Sequence, residues 1–206
     1  MMKLLKILPA AALMFGSVAT INAQEDASNR DSMAPSFGVK GGVNFATVNG
    51  DDFDSPDSRT SFHVGVVGEM PVGSFISIQA EALYSGQGFE VDGGGFFGDR
   101  KVEYQIDYIN VPVLGKFYLT DGLSVEAGPQ FNFKVNEEID FDANDDDGDW
   151  NRDEVKSFDF GVAAGVTFQT SMGLFAYGRY TQGLTDIIDD ADVKNSVFQL
   201  GIGFKF

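Results

Sequence analysis

The densest group of residues able to do chemistry is "DANDDDGDWNRDE", residues 142–154. Carboxylates and amides crowded around one glycine point to hard-cation binding, because Ca2+ takes its ligands from oxygen. Setting Gly148 at the invariant glycine of an EF-hand loop places Asp145 and Asp147 at the third and fifth positions, Asn151 at the ninth and Glu154 at the twelfth. The candidate Ca2+ ligands are therefore Asp145, Asp147, Asn151 and Glu154. Ala143 then stands at the first position, where a carboxylate is expected, and no helical pattern flanks the segment. These departures favour a solvated acidic loop, and no other cofactor is expected. Trp150 lies inside the same segment, where it can anchor a partner or pack within its own loop.

The single histidine, His63, follows Ser61 by two positions, so on a strand both point to one face. Ser and His near the rim of a membrane barrel are compatible with lipid-modifying chemistry. Nothing in the sequence supplies the group that orients the imidazole or an oxyanion site. A polar histidine at the rim, without catalysis, is the expectation.

The elements carrying these residues are strands. The chain's last ten residues, "VFQLGIGFKF", alternate Phe198, Leu200, Ile202, Phe204 and Phe206 with Gln199, Gly201, Gly203 and Lys205, the period-two signature of a strand with two unlike faces. Seven further alternating segments precede it, at about 36–48, 60–71, 75–89, 101–119, 123–136, 156–169 and 173–185. Connections after the second, fourth and sixth segments are tight ("PVGS", "TDG", "TSMG"). Those after the first, third, fifth and seventh are long and polar, and they hold most of the chain's 31 acids. This alternation of short and long connections predicts an up-and-down antiparallel barrel with its acidic loops at one end.

One face collects large apolar residues, among them Phe37, Val39, Phe62, Val64, Ile78, Phe133, Phe158 and Phe168. The other carries Gly38, Gly42, Gly65, Gly128, Gly161, Gly165, Gly201 and Gly203 with charged and amide groups. An eight-stranded barrel is only just wide enough to be filled by side chains, so the larger apolar set does not fit inside it. The glycine-rich face goes in and the aromatic face goes out, onto lipid. A soluble two-layer sandwich would bury the same face, but the loop asymmetry and the leader argue against it. The inward charges expected are Lys40, Glu69, Glu81, Glu126, Lys134, Asp159, Arg179 and Lys205, with Lys116 and Asp107 added from the fourth segment. Their mixed signs predict a cross-strand network that plugs the lumen, the alternative being a narrow channel for ions or solutes. In the fourth segment Tyr104, Ile106 and Tyr108 have one parity and Ile109, Val111, Val113 and Phe117 the other. A bulge near Tyr108 would reconcile them, and Pro112 would interrupt the ladder.

The first 23 residues, "MMKLLKILPAAALMFGSVATINA", read as a cleaved signal peptide, followed by a short polar segment, 24–35, and the barrel, 36–206. The absence of cysteine removes both a lipid-attachment thiol and a disulfide framework. A net charge of −17 disfavours nucleic acid as a partner, since phosphate neutralisation needs clustered Lys and Arg.

Three stretches, "FGVKGGVNFATV", "DYINVPVLGKFYLTDGLSVEAGPQF" and "FQLGIGFKF", resemble the PorT-type outer-membrane β-barrel proteins of Bacteroidetes. The resemblance implies an eight-stranded transmembrane barrel of the OmpA/OmpX-like kind in a Gram-negative outer membrane, and the loop asymmetry then predicts long loops extracellular and the N-terminus periplasmic. It implies insertion by the barrel-assembly machinery through the last strand, with lipids and lipopolysaccharide as surroundings. Membrane residence and acidic loops without catalytic chemistry predict a structural or interaction role at the envelope, and the association of founding family members with type IX protein secretion makes accessory service to it the specific form that the resemblance implies. No catalytic or binding residue carries over, because the shared positions are those that determine the fold.

Overall fold

The computed structural model describes residues 34–49, 57–95, 98–141, 156–186 and 193–206. Eight strands follow one another: β1 (Ser36–Asn49), β2 (Asp57–Pro71), β3 (Ile76–Gly95), β4 (Gly98–Tyr118), β5 (Leu123–Phe141), β6 (Phe158–Gln169), β7 (Leu174–Gly183) and β8 (Lys194–Lys205). Each pairs antiparallel with its neighbours in sequence, and β8 returns to β1 to close the barrel. The eight-stranded up-and-down expectation holds.

The three tight connections are built as their residues predict. Backbone hydrogen bonds close them from Val72 N to Ile76 O (3.0 Å), Leu119 N to Leu123 O (2.8 Å) and Thr170 N to Leu174 O (2.8 Å). Thr120 Oγ1 accepts from Leu123 N at 3.1 Å, a hydroxyl-capped turn. Gly173 takes φ +89°, a conformation a side chain would strain.

The two faces divide as the size argument requires. Ile202 is 65% exposed, Phe168 57% and Phe62 56%, whereas Arg179 and Lys116 are each 1% exposed. This inverts a soluble protein, and only an apolar medium accepts such a belt. Inward glycines give the remaining side chains room. A Cβ on Gly201 would lie 2.6 Å from Tyr177 Cζ and 2.6 Å from Gly41 O, and one on Gly203 would meet the Phe175 ring. The glycines of β8 therefore admit the two inward aromatics of β7, Phe175 and Tyr177.

Three details depart from the sequence reading. The stretch after the third segment, expected as a loop, is mostly strand: β3 continues to Gly95, and Gly98 on β4 pairs with it. The register shift near Tyr108 exists, but the extra residue is Val135 on β5, between Asn136 opposite Asp107 and Lys134 opposite Tyr108. Consequently β4 keeps one parity from Gln105 to Tyr118. Ile106 and Tyr108 are buried inward, and Asp107 turns outward, where its Oδ2 accepts the Tyr84 hydroxyl at 2.7 Å. Pro112 does interrupt the ladder with β3, whose pairing stops at Ala80–Val113 and resumes at Leu83–Asn110 in unchanged register.

A candidate functional site in the barrel lumen

The inward parity of the eight strands brings the charged residues into one buried column. Near the tight-turn end, Glu69 on β2 is the hub. Lys116 Nζ reaches its Oε2 at 3.1 Å, Lys205 Nζ contacts the same oxygen, and Ser77 and Tyr118 donate their hydroxyls to Oε1, Ser77 at 2.5 Å. Gln79 Oε1 accepts from both lysines at 3.2 Å. Lys116 and Lys205 thus occupy the inward places expected of them.

The middle of the column is organised by Arg179 on β7. Its Nη1 and Nη2 donate to Glu81 Oε2 and Oε1 at 2.8 and 2.7 Å, a two-pronged pair, while Nε and Nη2 reach Glu126 Oε1 at 3.0 and 2.5 Å. Lys40 Nζ completes the set, 3.0 and 3.1 Å from the Glu81 oxygens and 3.6 Å from the centre of the Tyr177 ring. Two cations and two carboxylates neutralise one another, and Gln79 and Thr167 satisfy further lone pairs at 2.6 and 3.2 Å. Buried ions persist only when paired and hydrogen-bonded in this way.

Above this cluster, toward the long connections, a chain of neutral groups follows. Asn44 Nδ2 donates to Ser85 Oγ at 2.9 Å and Gly86 O at 2.7 Å, which leaves Asn44 Oδ1 to accept from Gln199 Nε2 at 2.9 Å and His63 Nδ1 at 2.7 Å. His63 Nε2 in turn meets the Tyr177 hydroxyl. This chain assigns the neutral ring's proton to Nδ1, with Nε2 accepting from Tyr177. His63 is 1% exposed, so it is a lumen residue and not the rim histidine expected from its place in the second segment. Both its nitrogens are engaged by residues other than Ser61.

Of the sequence-predicted inward charges, Lys40, Glu69, Glu81, Glu126, Asp159, Arg179, Lys116 and Lys205 are buried together, and Lys134 is half-buried at the long-connection end. Asp107 is the exception. The candidate Ca2+ ligands Asp145, Asp147, Asn151 and Glu154, together with Trp150 and the expected leader, lie outside the described residues. Tyr177 and Asn44, which join the ionic and neutral layers, were not singled out by sequence. Their signal was the parity they share with Arg179 and Lys40.

Comparison with known proteins bears on this architecture. The fold is similar to that of Ail, the attachment invasion locus protein of Yersinia pestis (13% identity, TM-score 0.51, covering 84% of this chain and 100% of that one). It is also similar to that of Neisserial surface protein A (13% identity, TM-score 0.50, covering 84% and 99%). At such identities the likeness concerns fold alone. No curated protein matches. Residues 22–189 match the family model described as outer membrane protein beta-barrel domain. A lipid-facing apolar belt around a buried polar lumen is what such a domain requires, and the chain belongs to the outer membrane protein beta-barrel domain family, a barrel of the outer membrane.

Proposed function

We propose that the protein is a sealed, non-catalytic barrel whose role at the envelope is structural and interactive, holding acidic loops on the cell surface. The observation that carries this reading is the Arg179–Glu81–Glu126–Lys40 cluster, which spans the lumen between β1, β3, β5 and β7 with its charges mutually neutralised. A barrel of eight strands has little lumen beyond its side chains, and these are cross-linked. The long connections face outward and the N-terminus the periplasm in this reading, after the asymmetry common to such barrels. Its surroundings are then lipid and lipopolysaccharide, its insertion is served by the assembly machinery, and nucleic acid is not a partner.

Accessory service to type IX secretion is the specific form of this role, and it rests on the resemblance of the three PorT-like stretches alone. Planar-bilayer recording on the purified barrel tests the sealed lumen: absence of sustained current is expected, and stable conductance steps would establish the channel reading instead. Co-purification from native outer membrane tests the specific form. Recovery with secretion components supports it, and recovery without them removes it.

A further inference from the structure

Three carboxylates of the lumen have cationic partners: Glu69 has Lys116 and Lys205, Glu81 has Lys40 and Arg179, and Glu126 has Arg179. Asp159 on β6 is different. It is 1% exposed, and among the described ion pairs none includes it. Its oxygens accept only from neutral groups, Oδ2 from Asn132 Nδ2 at 2.8 Å and Oδ1 from the Thr185 hydroxyl at 2.6 Å. An ionised carboxylate removed from water without a countercharge costs several kcal/mol even after relaxation, so the site calls for a positive charge.

The register supplies a second observation. Asn110, Asn132 and Asp159 stand directly opposite one another across β4, β5 and β6, all three buried on the inner face. Asn110, itself 1% exposed, has neither its Nδ2 nor its Oδ1 hydrogen-bonded. An orphaned amide oxygen thus lies in the same cross-strand row as an uncompensated carboxylate, with Asn132 Oδ1 and Gln130 Oε1 beside them as acceptors for Gln130 Nε2 and Thr181 Oγ1. At the far end of the row Thr185 is exposed, so the row reaches solvent toward the long connections. Lys134, the next inward residue on β5, has a partner of its own.

We propose that Asp159, with the orphaned side-chain oxygen of Asn110, holds a hard monovalent cation of the sodium or potassium type. One carboxylate balances one positive charge and is too little for a divalent ion, and oxygen ligands do not suit soft ions. This site is independent of the sealed-lumen reading, since it needs only the outer half of the lumen.

The test is thermal unfolding of the purified barrel in detergent at one ionic strength, with sodium, potassium or choline as the only cation. A saturable rise of the midpoint in sodium or potassium over choline is expected, lost in Asp159→Asn and weakened in Asn110→Leu. It should persist when Asp145, Asp147 and Asp149 are changed together to Asn. Equal midpoints in sodium, potassium and choline would overturn the proposal, as would a rise that survives in Asp159→Asn or disappears in the loop variant. So would a midpoint that follows pH alone, which would identify a proton on Asp159 as the countercharge. If Asp159→Asn does not fold, sodium-23 relaxation on the wild-type barrel with potassium competition decides: competable broadening supports the site and its absence excludes it.

Discussion

Arg179 and Glu81 lie 98 positions apart in the chain and meet in the lumen through two parallel hydrogen bonds of 2.8 and 2.7 Å. Such a pair contributes little net stability compared with well-packed apolar residues, yet removing one member strands the other. Arg179→Met leaves Glu81 with Lys40 alone and Glu126 with no cation in the described set. Urea unfolding followed by gel mobility of the folded band should show a loss of about 3–5 kcal/mol. The double variant Arg179→Met, Glu126→Gln, which keeps Lys40 paired with Glu81, should recover a large part of it. Additive losses across the two sites would show that they do not act as a unit.

Gly201→Val should block refolding into vesicles. The added Cβ would stand 2.6 Å from both Tyr177 Cζ and Gly41 O, and backbone cannot yield as a flexible chain end does. The companion variant Gly201→Val, Tyr177→Ala removes only one of the two collisions and should refold partially. Recovery of the folded band to wild-type yield in Gly201→Val alone would show the packing to be looser than described.

The lipid face is open to a depth test. Val64, in the middle of β2, is 52% exposed, and Met70, near the tight-turn end, is 51% exposed. Arginine at Val64 should cost about 2–4 kcal/mol and at Met70 about 0–1 kcal/mol, following the depth dependence of charge on a barrel's outer surface. Equal costs at the two positions would contradict the assignment of the membrane's midplane to the centre of β2.

His63→Ala leaves Asn44 Oδ1 and the Tyr177 hydroxyl each short of a partner. Asn44 Oδ1 keeps Gln199, so a loss of about 1–3 kcal/mol is expected chiefly from the Tyr177 hydroxyl left without its acceptor. Outer-membrane lipid composition in a strain carrying the variant should match wild type, and an altered lipid profile would revive the catalytic reading of this histidine.

Calorimetric titration of the refolded barrel with Ca2+ should give no saturable heat at the acidic loop, because Ala143 stands where the first ligand would be. A stoichiometric isotherm abolished by Glu154→Gln would establish the site.

Which side chains face inward was legible from alternation because a strand's pleat leaves no other choice. Lys40, Glu81 and Arg179 sit where their parity puts them. How far along the lumen each one lies was not legible. Tilted, staggered strands carry a residue such as His63 well below the end of the strand it seems close to, and nothing in its own segment encodes the stagger. Asp107 misled for another reason. The parity conflict in β4 looked like a bulge in that strand, whereas the structure accepts Ile106 and Tyr108 as lumen packing and places the extra residue, Val135, across the pair on β5. Likewise "VDGGG" reads as a loop by composition, yet in a long hairpin its glycines join the ladder. The row Asn110–Asn132–Asp159 joins three segments whose mutual register only the folded barrel defines.

The pairing of β1 with β8 runs from Gly38–Lys205 to Asn49–Lys194, and it is finished by Phe206 N donating to Phe37 O at 2.8 Å. Until those last residues arrive, every partial sheet the chain forms has two raw edges of unpaired amides and carbonyls, which neither lipid nor a crowded aqueous compartment tolerates. Folding cannot proceed strand by strand into the bilayer as synthesis or export delivers the chain. Its earliest and latest strands must find each other first or together, across nearly the whole length of the barrel sequence, which is the slowest kind of contact to make. The chain therefore needs protection from aggregation for as long as that search lasts.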